Sequence, residues 1–424
     1  MTFPGSGGGN FFEQILGDLI KVMGGSSSGA RVDVARTWAQ QIAAGSEPER
    51  NVDPSERIQI EQLAHVAELH VTELTGLSVT PTGVPLELMA VTPGLWAWHT
   101  VDDWRFLLEA MSAPAPPADG TSPAGGTAVR PSDPGATGPD QGEGTPGVRP
   151  GDELEEYPGA PGPEMFARWM ATFGPMLAAI QLGSAVGHLA RSTLGPFELP
   201  VPRPTPRLLV VPANIVAFAE GWSLPPDEVR LWVCLREQTV QAVLSRPFVA
   251  ERLRQLLVEV VHGTAAEAGE VMERFQGLDL SDPESLQRIL SDPTALAEIE
   301  EPSPARERAV ADLMAVTAAL LGYVEHVLDQ AAHRLLGGRS AIREAWRRRQ
   351  VGRETADRAA EAMLGLDLGP VQIDRGSDFV RGVLERAGEE GLARLWSAAH
   401  TLPTPAEVDA PGLWLERIDL APSP

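Results

Sequence analysis

The chain has 424 residues, of which 43% are hydrophobic, and a formal net charge of −24 at neutral pH. This apolar content is enough for a large core. The charge argues against a nucleic-acid partner and against an anionic membrane surface, because both require basic protein surface. The single cysteine, Cys234, excludes an intrachain disulfide bond and is expected to be a small buried hydrophobic residue. Without a signal-peptide pattern or an apolar run close to membrane length, we expect a cytoplasmic protein.

The first part of the chain is predicted to be helical after a disordered start. Residues 1–10 are Gly-rich and are expected to be disordered. The segment 11–112 forms the predicted N-terminal helical part, because its apolar residues recur at helical spacing. Its expected helices cover 11–23, 32–44 and 51–76, followed by a Trp-bearing loop and helix over 86–111.

A Pro/Gly-rich stretch, residues 113–163, separates this part from the rest of the chain. It has almost no apolar side chain that could offset the entropy of ordering, so we expect a long disordered insertion. Residues 164–424 form the second predicted helical part, and we expect it to build one domain with 11–112. Gly183 and Gly187 are four apart on a helix over 164–194, which favours close packing of another helix.

The stretch from Arg207 to Leu244 is the centre of the predicted fold. It predicts a short strand, a turn, a short helix and then a long buried helix with Ser223 as its N-cap. On that last helix, Arg236 and Val240 lie one turn apart on the apolar face.

This spacing is that of the two histidines in HExxH, which bind one zinc ion from successive helical turns while the intervening glutamate acts as general base. Here the five positions run from Arg236 to Val240 and read REQTV, with Glu237 at the place of the base. A cationic Arg cannot ligate zinc, and Val has no lone pair. The five residues alone would identify nothing.

A longer set of segments supports the motif. LLVVPANI precedes the tryptophan-bearing helix with LREQTV, and LLGYVEHV, REAWRRRQ, MLGLDLG, LPTP and WLERI follow it, with ARTWAQQIAAG near the N-terminus. In this pattern the chain resembles the actinobacterial zincin-like family, the DUF2342 group of hydrolases or zinc-dependent metalloproteases of unknown substrate. The resemblance covers nearly everything outside 113–163. It implies a mainly α (α+β), zincin-like metallopeptidase fold with a small β element, and zinc as the family's cofactor.

The chain departs from the family at all three expected ligand positions. The resemblance places the third ligand, a glutamate, where this chain has Leu321, while Glu325 four residues later is kept. Arg236, Val240 and Leu321 are therefore vestigial ligand positions, and we expect no bound metal. The chain is predicted to be a pseudoenzyme that binds an unknown protein or peptide in the old cleft, with Glu237, Arg236 and Glu325 as its candidate site residues.

Several alternatives remain open. Arg236 forms a buried ion pair with Glu237 or Glu325, or its guanidinium stands in for the lost metal charge. A second function is an active zinc-dependent hydrolase that uses ligands hidden from the linear motif, such as Glu237 and Glu325 with His262 or His188. A third is a helical adaptor that binds its partner through residues 113–163.

One basic cluster stands out in this acidic chain. It comprises Arg343, Arg347, Arg348, Arg349 and Arg353. We expect a solvated face that pairs with local acids, with a phosphate- or carboxylate-binding role as the alternative.

Overall fold

The computed structural model describes residues 28–45, 49–80, 86–112, 163–275, 303–335, 341–353 and 355–420. The predicted disorder of residues 1–10, the helix over 11–23 and the insertion at 113–163 thus lie outside the described residues, apart from the first residue of the helix that begins at Pro163. The division into two helical parts that build one domain stays a prediction.

The described elements are helices and one pair of short strands. In chain order they are α1 (Ser28–Ala44), α2 (Pro54–Thr75), β1 (Glu87–Ala90), α3 (Pro93–Asp103), α4 (Arg105–Ser112), α5 (Pro163–Ala190), β2 (Arg207–Val210), α6 (Pro212–Gly221), α7 (Pro226–Leu244), α8 (Pro247–Phe275), α9 (Pro304–Leu335), α10 (Ala341–Val351), α11 (Thr355–Met363), α12 (Pro370–Ala393), α13 (Pro405–Asp409) and α14 (Pro411–Leu420). The prediction of a mainly α fold with a small β element is confirmed.

The two strands pair in parallel, with Glu87 opposite Arg207 and Ala90 opposite Val210. A parallel pair needs a long crossover, and here it includes helices α3, α4 and α5. The pair therefore joins the N-terminal part of the chain to the segment that leads into the central helix.

Helix α7 is buried along most of its length. Every residue from Trp232 to Leu244 is buried, and the helix packs against α2, α6, α8 and α9. The prediction that Ser223 is the N-cap of α7 is wrong. Ser223 has a φ of 54° in the turn after α6, and the extended N-cap is Pro225, whose side chain makes no capping bond. The turn closes when Leu224 N donates to Ala219 O at 2.8 Å.

Close packing at Gly183 and Gly187 is confirmed. A Cβ on Gly183 would lie 2.6 Å from Ala35 O, and one on Gly187 would lie 2.7 Å from the Ile42 Cβ. Glycine at these two positions lets α5 approach the backbone of α1. Helix α1 of the N-terminal part therefore shares a core with α5, which follows residue 162.

Two predictions about long helices need correction. The sequence pattern predicts separate helices over 247–262 and 265–275, whereas the structure has one continuous helix there, α8. Helix α9 is long and apolar enough to cross a membrane by length and composition, so the statement that no apolar run comes close to that length is wrong for this segment. In the structure 72% of its apolar window is buried, as in the core helix of a globular fold.

Candidate functional site

The candidate site is built on a buried ion pair at the middle of α7. Arg236 Nη1 contacts Glu237 Oε1, and the two side chains are 7% and 2% exposed. Adjacent residues on a helix diverge by about 100°, so the long Arg side chain must fold back to reach its neighbour. Of the partners predicted for Arg236, the structure selects Glu237.

The same two side chains hold the backbone of Phe197. Glu237 Oε2 accepts a hydrogen bond from Phe197 N at 2.7 Å, while Nη1 and Nη2 of Arg236 each lie 3.2 Å from Phe197 O. Both oxygens of the Glu237 carboxylate are therefore engaged by groups of the chain itself. Phe197 belongs to the segment 193–199 between α5 and β2, which we call the clamp segment.

Gly195 brings the clamp segment against Glu237. A Cβ at this position would lie 2.6 Å from Cδ of Glu237, so a larger residue would displace the carboxylate. The Gly195 carbonyl accepts hydrogen bonds from Thr193 Oγ1 at 2.7 Å and from Trp96 Nε1 at 3.2 Å. The segment is thus fixed from α3 and from α7.

The indole ring of Trp346 covers the guanidinium of Arg236. Its Cζ lies 4.7 Å from the centroid of Trp346 on α10, and Trp346 packs on Trp232 of α7 with centroids 5.3 Å apart. Arg349 also lies over Trp346, at 4.9 Å. Cation–π contacts of this kind favour Arg in a dry site.

Burial raises the pKa of Glu237 above its ordinary value, even though Arg236 and the Phe197 amide favour the ionised carboxylate. Burial also raises the pKa of the neighbouring Cys234 thiol to about 12, so this thiol is inert, as expected of a small core residue.

A second buried charge cluster adjoins the clamp segment at Glu198. Glu198 Oε1 lies 2.7 Å from Arg353 Nη2 and 3.2 Å from Arg349 Nη1, and Arg353 also pairs with Glu361. Burial alone would raise the pKa of Glu198, but the nearby guanidinium groups together hold it below its ordinary value.

This cluster corrects the prediction for the basic segment. Arg353 is 9% exposed and Arg349 pairs with a buried acid, so these two residues are part of the core and not of a solvated face. Arg348 does pair with a local acid, Glu344, at the surface. The sequence reasoning missed Glu198. The one sequence feature that pointed to it was the excess of Arg over acidic residues in the segment 343–353. Buried Arg residues in that segment need carboxylates from other parts of the chain.

The vestigial positions are packed by side chains that cannot bind metal. Val240 is 2% exposed in the core, and Leu321 is a half-buried residue of α9 packed against the same core. Glu325 is buried on α9, where its Oε2 lies 2.9 Å from Arg343 Nε. Burial raises the pKa of Glu325, and Arg343 opposes the shift. Glu325 thus forms its ion pair with Arg343, and Arg236 adds only a smaller electrostatic contribution from a greater distance.

The donor set does not fit a zinc ion. The cationic guanidinium of Arg236 lies on the carboxylate of the would-be base, and zinc needs three or more N, O or S donors around one point. Across the ranges that the structure describes, no three His, Cys, Asp or Glu side chains are grouped so as to hold a metal ion. The alternative set of Glu237 and Glu325 with His262 or His188 is therefore not assembled.

Comparison with known proteins decides the ancestry. A family model described as zincin-like metallopeptidase matches residues 31–415. The chain belongs to the zincin-like metallopeptidase family. The predicted zincin-like family and fold class are confirmed.

A solved structure has the same overall fold. It is a crystal structure described as a putative hydrolase with a novel fold from Chloroflexus aurantiacus, 18% identical, with a TM-score of 0.58. The match covers 92% of this chain and 99% of that chain, so the likeness extends over the whole fold. A search of curated proteins finds no match.

Proposed function

We propose that this zincin-like protein has lost zinc and hydrolysis and acts by binding a protein or peptide. The observation that carries the proposal is the Arg236–Glu237 pair. A guanidinium occupies the first ligand position and neutralises the carboxylate that would serve as general base. Its positive charge opposes a divalent cation at the same point.

The engagement of Glu237 supports the loss of catalysis independently of the metal. A general base must reach a water or substrate proton within hydrogen-bond distance. In this chain one carboxylate oxygen contacts Arg236 and the other accepts from Phe197 N. With Glu237 only 1% exposed, no side of the carboxylate faces solvent.

Metal content is the test of this function. Protein purified without chelator or affinity metal should contain far less than one zinc per chain, and incubation with excess zinc should not change that. Stoichiometric zinc that is lost on Glu237→Ala or Glu325→Ala would overturn the proposal. It would favour the second candidate, an active zinc-dependent hydrolase, which family membership also favours, and peptide hydrolysis would then be assayed.

Charge limits the class of partner. At −24 the chain would repel nucleic acid and anionic lipid, so the proposed partner is a protein or peptide. The proposed location, which does not follow from the charge, is the cytoplasm.

A further inference from the structure

A pocket on the opposite side of α7 from Arg236 has the features of a binding site. It has a volume of about 300 Å³ and lies between α2, β1 and α7. Glu61, His65 and Glu68 line it from α2, Leu88 from β1 and Gln238 from α7. Gln238 and Arg236 are two residues apart and so diverge by about 200° around the helix, which separates this pocket from the vestigial ligand positions. We call it the edge pocket.

Gln238, which lines the edge pocket, has a buried hydrogen-bond acceptor without a partner among the described residues. The residue is 1% exposed, its Nε2 donates to Ala64 O at 2.7 Å, and its Oε1 has no partner among the described residues. The carbonyl of Ala64 can only accept, so it fixes the amide orientation and leaves the oxygen as the free group. A buried acceptor without a partner is costly, and a ligand that donates a hydrogen bond would relieve that cost.

Acidic side chains give the pocket its charge preference. Glu61, His65 and Glu68 occur at spacings of four and three, so they share one face of α2. Glu61 lies 3.6 Å from Arg57, whereas Glu68 has no ion-pair partner in the described part of the chain. The acceptors and the negative charge of Glu61 and Glu68 favour a cationic ammonium or guanidinium group, each of which has hydrogen-bond donors and no acceptor.

The backbone of β1 provides a second set of unused groups. Glu87 N donates to Pro206 O at 3.0 Å and Val91 N to Val210 O at 2.8 Å, so the odd-numbered residues of β1 face β2. In a parallel pair alternate residues face opposite edges, which directs the N–H and C=O groups of Leu88 and Ala90 away from β2. These groups have no partner within the described residues. An added strand could pair with this open edge.

We propose that the edge pocket binds an extended segment of a partner protein, which pairs with the open edge of β1 and places an Arg or Lys side chain beside Glu68 and Gln238. Alternate side chains of an added strand project to the face on which Leu88 lines the pocket. The main chain supplies affinity, and the acidic pocket selects the residue. This inference rests on the partner-binding part of the proposed function and names its site and ligand chemistry.

The test uses fluorescein-labelled nonapeptides of alternating Thr and Val, with Arg, Lys or Glu at the centre, and the full chain. Fluorescence anisotropy should show that the Arg and Lys peptides bind about tenfold or more tightly than the Glu peptide. Glu68→Lys should reverse this preference. Ala90→Pro removes an N–H that faces the open edge without disturbing the bonds to β2, and it should abolish binding of every peptide.

Glu416→Lys is the matched control, because it makes the same charge change on α14, which does not line the pocket. It should leave the affinity within about twofold of the unmodified chain. Hydrogen exchange should show protection of residues 88–90 when the Arg peptide is added. Circular dichroism would establish that each variant is folded.

Equal affinity for the Arg and Glu peptides, or no binding at millimolar peptide concentration, would overturn the site. Self-association of the chain that Ala90→Pro abolishes would also overturn it, because the open edge would then be a contact between copies of this chain. If the Arg peptide bound but protected amides outside residues 88–90 from exchange, the edge pocket would be ruled out as the binding site, while the proposed partner-binding function would stand. The zinc measurement tests the loss of catalysis separately.

Discussion

The Arg236–Glu237 pair places two opposite charges in the core, and the stability of the folded protein depends on the presence of both. Removing one partner leaves an uncompensated buried charge, which costs about 3–5 kcal/mol. We therefore expect Arg236→Met to lower the free energy of unfolding by that amount, as measured by urea denaturation. Adding Glu237→Gln should recover most of the loss, since the neutral amide can still accept from Phe197 N.

The control for this pair is Arg348→Met, which removes the same charge from a surface pair with Glu344. Exposed ion pairs contribute at most about 1 kcal/mol, so the variant should be nearly as stable as the unmodified chain. If Arg236→Met were equally mild, the pair would not be the closed, dry contact that the geometry indicates.

Glu198 should give stability a measurable dependence on pH. Its folded-state pKa lies below the ordinary glutamate value, so the ionised group stabilises the fold above the unfolded pKa. This contribution is lost as the pH falls through the folded pKa. Glu198→Gln should therefore lower the free energy of unfolding by about 3–5 kcal/mol at neutral pH.

The difference between Glu198→Gln and the unmodified chain should shrink as the pH falls from 7 to about 3.5, because that range crosses the ordinary carboxyl pKa. Denaturation of both proteins over this series is the measurement, and the difference removes the common effect of the other acids. A difference that stays constant would mean that Glu198 acts through packing alone.

The clamp segment shows what sequence reasoning found and what it missed. The pattern from Arg207 to Leu244 predicted the buried helix and the position of Glu237, because helical periodicity and a motif are local signals. The partner of Glu237, the backbone of Phe197, lies 40 residues earlier in the chain. Likewise, Glu198 meets Arg353 across 155 residues. Such contacts depend on how helices pack, which spacing along one helix does not encode.

Two glycines set the distance between helices α9 and α12. A Cβ on Gly376 would overlap the carbonyl oxygen of Ala318, and one on Gly322 would overlap the backbone of Gly376. Since backbone atoms cannot yield as side chains do, Gly376→Ala should lower the free energy of unfolding by about 3 kcal/mol or more. Urea denaturation would measure the loss.

Gly352→Ala is the matched control for the helix contact, because the nearest atom to its Cβ would be 3.6 Å away and its φ is not positive. Its effect should be small. Comparable stability of Gly376→Ala and Gly352→Ala would show that α9 and α12 can separate without cost. Gly322 lies one residue after Leu321, so the close approach adjoins a vestigial ligand position.

At the scale of the whole molecule, we expect the parts before and after residues 113–162 to fold as one unit. Helix α1 packs along α5, α3 contacts α5, and α2 packs on α7, so the core contains residues from both parts. Apolar faces this extensive would be exposed if either part stood alone. We therefore predict a single cooperative unfolding transition.

Cleavage within 113–162 provides the decisive version of this experiment. A protease site inserted there should yield two fragments that elute together in size-exclusion chromatography and separate only in denaturant. Gly187→Leu places a large side chain where a Cβ alone would lie 2.8 Å from Ala39 O, so it should weaken the association of the cleaved fragments. Fragments that separate under native conditions and keep their helical content would mean two independent domains. The small parallel sheet would then be a contact between domains, because β1 and β2 lie on opposite sides of the cleavage site.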